Sequence, residues 1–233
     1  VLSDCDWPEG RELVEVACAV PPSLRTLALQ GMGASGSAAA TIGAIATRCT
    51  QLEALGLTGN KLSGAIPPSL GRLAKLKELY LFDNALEGGV PEELGACVAL
   101  EALDLSRNKL SGAIPPSLGR LAKLKTLRLL DNALEGGVPE ELGACVALEE
   151  LDLSSNKLSG AIPPSLGRLA KLTRLELEQN ALEGGVPEEL GACVALEVLT
   201  LHANPKLAVT PACKERIEKA LPKTAQFGWP KVA

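Results

Sequence analysis

The sequence predicts a repeat solenoid in which stacked units each begin with a short, half-buried strand. Three observations predict it. From Leu52 onward the chain repeats every 24 residues, leucines alternate with other residues at the start of each repeat, and only 2% of all residues are aromatic. A fixed period of this length is typical of repeat architectures. A core built from thin layers has room for aliphatic side chains, which this chain supplies.

The repeats alternate between two types. The first type reads LEALGLTGNKLSGAIPPSLGRLAK and the second LKELYLFDNALEGGVPEELGACVA. The first pair and its two further copies occupy 52–75, 76–99, 100–147 and 148–195, and a strand-and-Asn start follows at 196–204. A longer, imperfect unit begins at Leu24, so we predict eight repeats over 24–204, with atypical first and last members as caps require. A capping helix region at 1–23 and a C-terminal cap at 205–233 complete the predicted domain organisation.

Each repeat begins with a strand and then turns. In LxxLxL, Leu55 and Leu57 point inward and Gly56 points outward, as a half-buried strand requires. Gly64 permits unusual backbone angles after the turn, and Pro67 fixes an extended segment. An asparagine stands where the chain leaves each strand, and its side chain can satisfy backbone groups that the turn leaves unpaired. The predicted ladder consists of Asn60, Asn84, Asn108, Asn132, Asn156, Asn180 and Asn204.

The pattern LxxLxLxxNxLxGxxPxxLGxxxx resembles that of the leucine-rich-repeat family, and the GAIP and GGVP segments are similar to its plant-type class. The match covers roughly residues 24–204. The resemblance implies an α/β repeat solenoid, a right-handed curved superhelix with a parallel β-sheet on the concave face and 3-10 or irregular turns on the convex face. It also implies that proteins or peptides bind on the concave face.

Copies of the same repeat type differ only in or beside the strand, at outward positions. First-type copies differ at 54, 56, 58 and 59 and their equivalents, and second-type copies at 77, 78, 80, 82 and 83. Random drift after duplication would scatter changes over the loops and the convex side as well. We therefore predict that the concave face reads a ligand while the rest of the repeat is held constant. An engineered consensus array would show the same pattern.

Aromatic and arginine side chains dominate binding energy in protein interfaces, and this selects the candidate residues. Tyr80 is the only tyrosine, Phe82 is one of two phenylalanines, and the core of other repeats needs neither. Arg128 and Leu130 occupy the same columns two repeats on. The full set of predicted ligand-binding residues is Tyr80, Phe82, Asp104, Arg107, Arg128, Leu130, Asp152, Arg174, Glu176, Glu178 and His202.

The later repeats are acidic on the same face. Acidic side chains outnumber the single Arg174 there, namely Glu149, Glu150, Asp152, Glu176, Glu178 and Glu197. This end is expected to attract a basic segment of the partner. Ordinary solvated charges would look the same.

The charges on the opposite side alternate between repeat types. Arg72 and Lys75 in one repeat are followed by Glu92 and Glu93 in the next, and the alternation continues along the array. Exposed pairs contribute about 0–1 kcal/mol each. Their larger effect is on register, because like charges would face each other if the layers slipped. A second binding surface is the alternative.

The chain has seven cysteines. Four of them are 48 residues apart at a core position, too far from one another for a disulfide, and should be buried inert thiols: Cys49, Cys97, Cys145 and Cys193. Cys5 and Cys18 flank a predicted amphipathic helix from about Pro8 to Val20. The DCDWPEG opening resembles the caps of secreted plant-type family members, in which the cysteines pair, so the resemblance implies a Cys5–Cys18 disulfide; free thiols are the alternative. Cys213 lies in a predicted capping helix over 212–221.

Catalysis needs a nucleophile, base or metal in a water-excluding pocket, and the sequence offers one histidine, no phosphate-binding loop and no metal-ligand spacing. We therefore expect a non-catalytic monomer without cofactor or metal. The net charge of −5 argues against nucleic acid as the partner, and no apolar stretch is long enough to insert into a membrane. The expected function is recognition of a protein or peptide, either free-standing or as part of a larger receptor or signalling chain. An array without a specific ligand and an inhibitor of a secreted enzyme are alternatives.

Both secretion and a cytoplasmic location stay open, because plant-type repeats favour the first and unpaired thiols the second.

Overall fold

The computed structural model describes residues 13–33, 35–222 and 225–230. The chain forms a right-handed curved solenoid in which each repeat contributes one layer. Strands are numbered along the chain, and odd-numbered strands build a nine-stranded parallel sheet on the concave face. These strands are β1 Thr26–Ala28, β3 Ala54–Gly56, β5 Glu78–Tyr80, β7 Ala102–Asp104, β9 Thr126–Arg128, β11 Glu150–Asp152, β13 Arg174–Glu176, β15 Val198–Thr200 and β17 Gln226–Gly228.

The predicted leucine alternation explains the concave sheet. Leu55 of β3 pairs in register with Leu79 of β5, which pairs with Leu103 of β7, and all three are fully buried. Leucine thus stacks on leucine from layer to layer. Burial of each such side chain contributes about 2 kcal/mol, and no single layer could achieve it alone.

Even-numbered strands form a second parallel sheet of eight strands, which the sequence did not predict. They are β2 Ser35–Ser37, β4 Lys61–Ala65, β6 Ala85–Gly88, β8 Lys109–Gly112, β10 Ala133–Gly136, β12 Lys157–Gly160, β14 Ala181–Gly185 and β16 Lys206–Ala208. The buried Leu62 and Leu86 anchor β4 and β6 to the core. Gly64 and Gly88 adopt φ of 80° and 76°, which confirms the predicted unusual backbone at these positions.

The convex side consists of six 3-10 helices, called the turn layer below. They are Pro68–Arg72, Glu92–Ala96, Pro116–Arg120, Glu140–Ala144, Pro164–Arg168 and Glu188–Ala192. In each, one buried leucine such as Leu70 or Leu94 points into the core. Among the described residues, Arg72, Arg120 and Arg168 form no ion pair within 4.0 Å, whereas Glu188 of the last 3-10 helix pairs with Arg216 of the C-terminal helix.

Within the described residues, three α-helices lie at the ends of the array: α1 Leu13–Ala19, α2 Ala38–Arg48 and α3 Pro211–Ala220. The helix α2 takes the place of a 3-10 turn in the first repeat and was not predicted; its N-cap Ser37 accepts a hydrogen bond from the Ala40 amide. The helix α3 confirms the predicted C-terminal helix. It packs on the last 3-10 helix through Ile217 and begins with Thr210 as N-cap. The exact bounds of the caps stay a prediction.

The asparagine ladder is present as predicted. Asn180 is 7% exposed, and its Nδ2 donates to the carbonyl oxygens of Leu153, Leu177 and Glu178 at 3.0, 3.2 and 3.2 Å. Its Oδ1 accepts from the Leu158 amide at 2.9 Å. Each asparagine therefore ties its own turn to the backbone of the preceding repeat, which fixes the stacking of neighbouring layers.

Four cysteines that recur every 48 residues, Cys49, Cys97, Cys145 and Cys193, are fully buried, as predicted. Burial raises the pKa of the Cys97, Cys145 and Cys193 thiols to about 11. Each of these three Sγ atoms also lies 3.3–3.5 Å from a carbonyl oxygen of an earlier repeat. Such thiols act as small core side chains.

Candidate ligand-binding site

The concave sheet brings the variable side chains into columns. In the central column Tyr80 is in register with Asp104, Asp104 with Arg128, Arg128 with Asp152, and Asp152 with Glu176. Neighbouring strands are about 4.8 Å apart. Because every strand runs in the same direction without a shift, residues 48 apart in sequence stand roughly 10 Å apart on the same face.

One cleft of about 560 Å³ opens on this face. It is lined by Phe82, Asp104, Ser106, Arg107, Arg128, Leu130, Glu150, Asp152, Arg174 and Glu176. Eight of these ten residues belong to the predicted set. The structure therefore gathers most of the predicted residues into one concavity, while their role in binding stays a prediction.

Arg128 lies at the centre of the cleft and is held by Glu150. Its Nε and Nη2 donate to the two carboxylate oxygens of Glu150 at 2.7 Å each, and its Nη1 lies 3.8 Å from Asp104 Oδ2. The hydrogen bond from Arg128 to Glu150 is the main cause that raises the arginine's pKa. A bidentate pair of this kind fixes the plane of the guanidinium group, so Arg128 is pre-oriented towards the cleft.

A second ion pair lies one layer further. The Arg174 Nη2 and Nε atoms lie 2.6 and 3.0 Å from Glu176 Oε1, within the same strand. Glu150 and Glu176 are thus each neutralised by an arginine of the cleft. Arg107, by contrast, is exposed at the rim and forms no ion pair with a described residue.

The two buried aspartates of the cleft have no such bidentate partner. Asp104 is 6% and Asp152 is 7% exposed, and each accepts a hydrogen bond at 3.0 Å from the amide of the serine two residues later. Burial raises the pKa of Asp152 above its usual range, hydrogen bonds from Ser154 oppose this, and the nearby Glu176 adds to it. A carboxylate in this environment gains from an additional positive charge.

Arg107 adopts a left-handed backbone conformation, with φ of 53°. The same holds for the residue before the ladder asparagine in other repeats, including Asp83, Asp131 and Gln179. Glycine and asparagine tolerate this region best, and Gly59 occupies it in the first full repeat. An arginine at such a position is held there at a conformational cost of about 1 kcal/mol.

Three of the predicted residues lie outside the lining of the cleft: Tyr80, Glu178 and His202. Tyr80 is half-buried beside it, and burial raises the pKa of its hydroxyl. Glu178 accepts a hydrogen bond from Thr200 Oγ1. His202 is exposed near the C-terminal cap, where it borders a smaller cleft with Trp229.

Two residues of the cleft were missed as ligand-binding residues by sequence reasoning. Glu150 was assigned to the acidic end rather than to the site, and Ser106 was noted only as a variable position. Ser106 is 4% exposed, and its Oγ has no hydrogen-bond partner within the described part of the chain. The signal that could have identified it is its place between Phe82 and Leu130 in three consecutive layers.

The predicted Cys5–Cys18 disulfide lies outside the described residues, because Cys5 is not among them. Over 13–33, 35–222 and 225–230, no three His, Cys, Asp or Glu side chains are grouped so that they could hold a metal ion. None of the helices in that part of the chain is long and apolar enough to cross a membrane.

Comparisons with known proteins agree with this architecture. Family models described as leucine rich repeat match residues 51–73, 75–97, 99–121 and 146–205, which together make up more than half of the chain. A receptor-like serine/threonine-protein kinase of Arabidopsis thaliana with leucine-rich repeats, GSO2, is 39% identical over 101 residues, which are 41% of this chain and 7% of the kinase.

Two solved structures of plant proteins are also similar. The peptide hormone receptor RGFR1 in complex with RGF2 is 33% identical at a TM-score of 0.80, over 91% of this chain and 33% of that chain. A plant ice-binding protein is 31% identical at a TM-score of 0.73, over 86% of this chain and 62% of that chain. The chain spans 7% of the GSO2 kinase and 33% of the RGFR1 chain. Its repeats, its two parallel sheets and these matches together place the chain in the leucine-rich-repeat family, in the plant-type class.

Proposed function

We propose that this chain is a non-catalytic recognition scaffold that binds a protein or peptide on its concave face. The observation that carries the proposal is the coincidence of two independent patterns. Every residue that lines the 560 Å³ cleft stands at a position that differs between copies of the same repeat, while the turn layer is unchanged. Sequence differences in a constant array are expected where side chains meet a ligand.

The composition of the cleft supports a polypeptide ligand. Phe82 and Leu130 provide apolar contact area, and Arg128 is held in place by its pair with Glu150. Pre-oriented arginines and exposed aromatic rings are the residues that contribute most in protein interfaces. The similar receptor RGFR1 is described as a peptide hormone receptor, which agrees with a peptide ligand.

Similarity to an ice-binding protein suggests a different function, but the concave side chains do not support it. An ice-binding surface is expected to be flat and regular, with the same small side chain in each layer. Here the central column alternates tyrosine, aspartate and arginine. The later repeats are acidic on the same face, which favours a partner with a basic segment.

The test is a binding experiment with three proteins. The first is the unchanged chain, the second carries Tyr80→Ala, Phe82→Ala and Arg128→Ala, and the third carries Arg72→Ala, Arg120→Ala and Arg168→Ala in the turn layer. Each is immobilised in contact with an extract of the source tissue, and captured proteins are identified, purified and bound again. Urea unfolding of all three proteins establishes that they are folded.

We expect a partner that binds the first and third proteins and loses at least tenfold in affinity for the second. This follows because a few central side chains carry most of the binding energy. Equal binding to the first and second proteins would show that the concave cleft is not the site. Loss with the third protein alone would move the site to the convex side.

A further inference from the structure

The charges in the cleft do not balance. It contains four carboxylates and three guanidinium groups. Arg128 forms an ion pair with Glu150, and Arg174 forms one with Glu176, so two of the three cations are already paired. The third, Arg107, lies exposed at the rim. Within 4.0 Å and among the described residues, the one ionic contact of the buried carboxylates Asp104 and Asp152 is the 3.8 Å approach of Arg128 to Asp104.

Asp152 is the least compensated of the four. Its Oδ1 accepts from the Ser154 amide at 3.0 Å and from Ser154 Oγ at 2.7 Å, whereas no arginine or lysine among the described residues lies within 4.0 Å of it. Glu176 and Glu178 stand on the next strand and its turn and increase the local negative potential. Arg128 and Arg174 interact with Asp152 only over a longer distance, because each forms its ion pair with a glutamate. A buried carboxylate whose charge is only partly compensated destabilises the free protein, and a ligand cation removes that cost.

A separate feature of the same cleft points to a ligand as well. Ser106 and Ser154 occupy equivalent positions two repeats apart, but only Ser154 uses its hydroxyl, which donates to Asp152. The Oγ of Ser106 is buried and without a partner within the described residues. Phe82 and Leu130 flank Ser106 in the preceding and following layers, so a small residue between two large ones leaves a notch.

We propose that the cleft binds an extended peptide through two subsites, a basic side chain at Asp152 and an apolar side chain in the notch between Phe82 and Leu130. The proposal rests on the function proposed above and names the class of peptide. The lysine or arginine of the ligand donates to Asp152, in the space between the two internal ion pairs. The ligand residue over the notch packs on Phe82 and Leu130 and brings a polar backbone group near Ser106 Oγ.

The separation of the subsites fixes the spacing in the ligand. The layers of Ser106 and Asp152 are two repeats apart, or roughly 10 Å. An extended or polyproline II segment advances about 3.1–3.4 Å per residue, so about three residues bridge them. The expected ligand sequence therefore has an apolar residue and a basic residue separated by two others.

The experiment uses a phage-displayed library of random nonapeptides, selected on the full chain. Enriched peptides are synthesised with acetylated and amidated ends, and their affinities are measured by fluorescence anisotropy. The proteins compared are the unchanged chain, Asp152→Asn, Phe82→Ala and Asp131→Asn. The last variant is the matched control, because Asp131 is an exposed acid of the same face outside the cleft lining.

We expect lysine or arginine at one position of the enriched peptides and an apolar residue about three positions away. Affinity should fall at least tenfold with Asp152→Asn and less than twofold with Asp131→Asn. Replacing the basic residue of the peptide by glutamine should cause a similar loss on the unchanged chain and little further loss on Asp152→Asn. Phe82→Ala should abolish the preference for the apolar residue only.

Peptides without a basic position, or an equal loss with Asp152→Asn and Asp131→Asn, would overturn the assignment of Asp152. The proposed function fails in a different way. In that case no peptide is enriched, or the enriched peptides bind equally well to the variant with Tyr80→Ala, Phe82→Ala and Arg128→Ala. The two failures are therefore distinguishable in one set of measurements.

Discussion

In the turn layer, a glycine stands at the same place in each 3-10 helix, and in all but the last of them the backbone of the next repeat lies directly against it. A Cβ atom on Gly143 would lie 2.4 Å from the carbonyl oxygen of Ser165. On the concave face the corresponding layers carry side chains as different as Arg128 and Asp152, and these extend into an open cleft. The same repeat therefore has no room for a larger side chain in the turn layer, whereas its concave face accommodates side chains of different size and charge.

In this solenoid, the residues that stabilise the stack and the residues that are free to vary lie on different sides of each repeat. Layers are held together by backbone contacts and by the asparagine ladder, which use no concave side chain. The concave residues can therefore be exchanged without disturbing the stacking that gives the array its stability. Substitutions on the two sides should differ in the size of their effect on stability and in whether they change stability or binding.

The largest loss of stability is expected when an asparagine of the ladder is replaced. Asn180→Ala removes donors for three carbonyl oxygens and the acceptor of the Leu158 amide, in a buried place where water cannot replace them. We expect a loss of about 4 kcal/mol in the free energy of unfolding, measured by urea denaturation. The control is Gln179→Gly, one residue earlier at φ of 56°, which should change stability by less than about 1 kcal/mol. Equal losses would contradict the ladder as the tie between layers.

The second-largest loss of stability is expected for a glycine of the turn layer. The equivalent glycine of the last repeat serves as the control. Gly143→Ala places a Cβ against backbone that cannot move aside, and it should cost about 3 kcal/mol. In the last repeat, Gly191 faces α3 instead of another turn, and a Cβ there would meet Ala220 Cβ at 3.5 Å. Gly191→Ala should therefore cost less than about 1 kcal/mol. If both variants unfold at the same urea concentration, close stacking is not the reason for the repeated glycine.

Replacing an arginine by glycine should change stability in opposite directions on the concave face and in the turn layer, and Arg107 is the concave example. Arg107→Gly relieves a left-handed conformation and should raise stability by up to about 1 kcal/mol, while it removes a side chain from the cleft. The same change in the turn layer, Arg120→Gly, places glycine in a 3-10 helix and should lower stability by about 1 kcal/mol. Thermal unfolding of both variants tests this. A loss of stability with Arg107→Gly would mean that the arginine stabilises the fold.

Much of this architecture could be predicted from the sequence because it depends on period and alternation. The buried leucines, the ladder of asparagines and the columns of the concave face all follow from residues that recur in register. The second sheet was missed, because segments such as Lys109–Gly112 are four residues long and end in glycine, which is typical of a turn. The pairing of Gln226–Gly228 with β15 was missed because it is non-local and lies outside the 24-residue period.

The sequence predicts which side chains share a column of the concave face, but it does not predict the contacts between those side chains. Column membership follows from the register, so Arg128 could be placed on the concave face beside Asp104 and Asp152. Its bidentate pair with Glu150, which stands in the neighbouring column, depends on side-chain rotamers, and these have no signature in the sequence. The unpaired hydroxyl of Ser106 is hidden for the same reason, since Ser154 in an equivalent place is fully bonded.

The smallest change in stability is expected when the charge of Asp152 is removed, and this change depends on pH. Burial raises its pKa in the folded state, so the folded protein binds a proton more tightly than the unfolded chain does. Ionisation of this group at neutral pH therefore lowers stability, and the loss is recovered as the pH falls through the raised pKa towards that of the unfolded chain. Asp152→Asn removes the charge while leaving an acceptor for Ser154.

We expect Asp152→Asn to be more stable than the unchanged chain at pH 7, by less than about 1 kcal/mol, and the two to converge near pH 4. Urea unfolding of both proteins across this range provides the measurement. The same substitution in the turn layer, Glu141→Gln, changes an exposed carboxylate and should give no pH-dependent difference. A variant that is less stable than the unchanged chain at pH 7 would show that the Asp152 carboxylate is compensated by Arg128 and Arg174 in the free protein. The excess negative charge would then not be available to a ligand, and the concave face would resemble the turn layer in serving the fold.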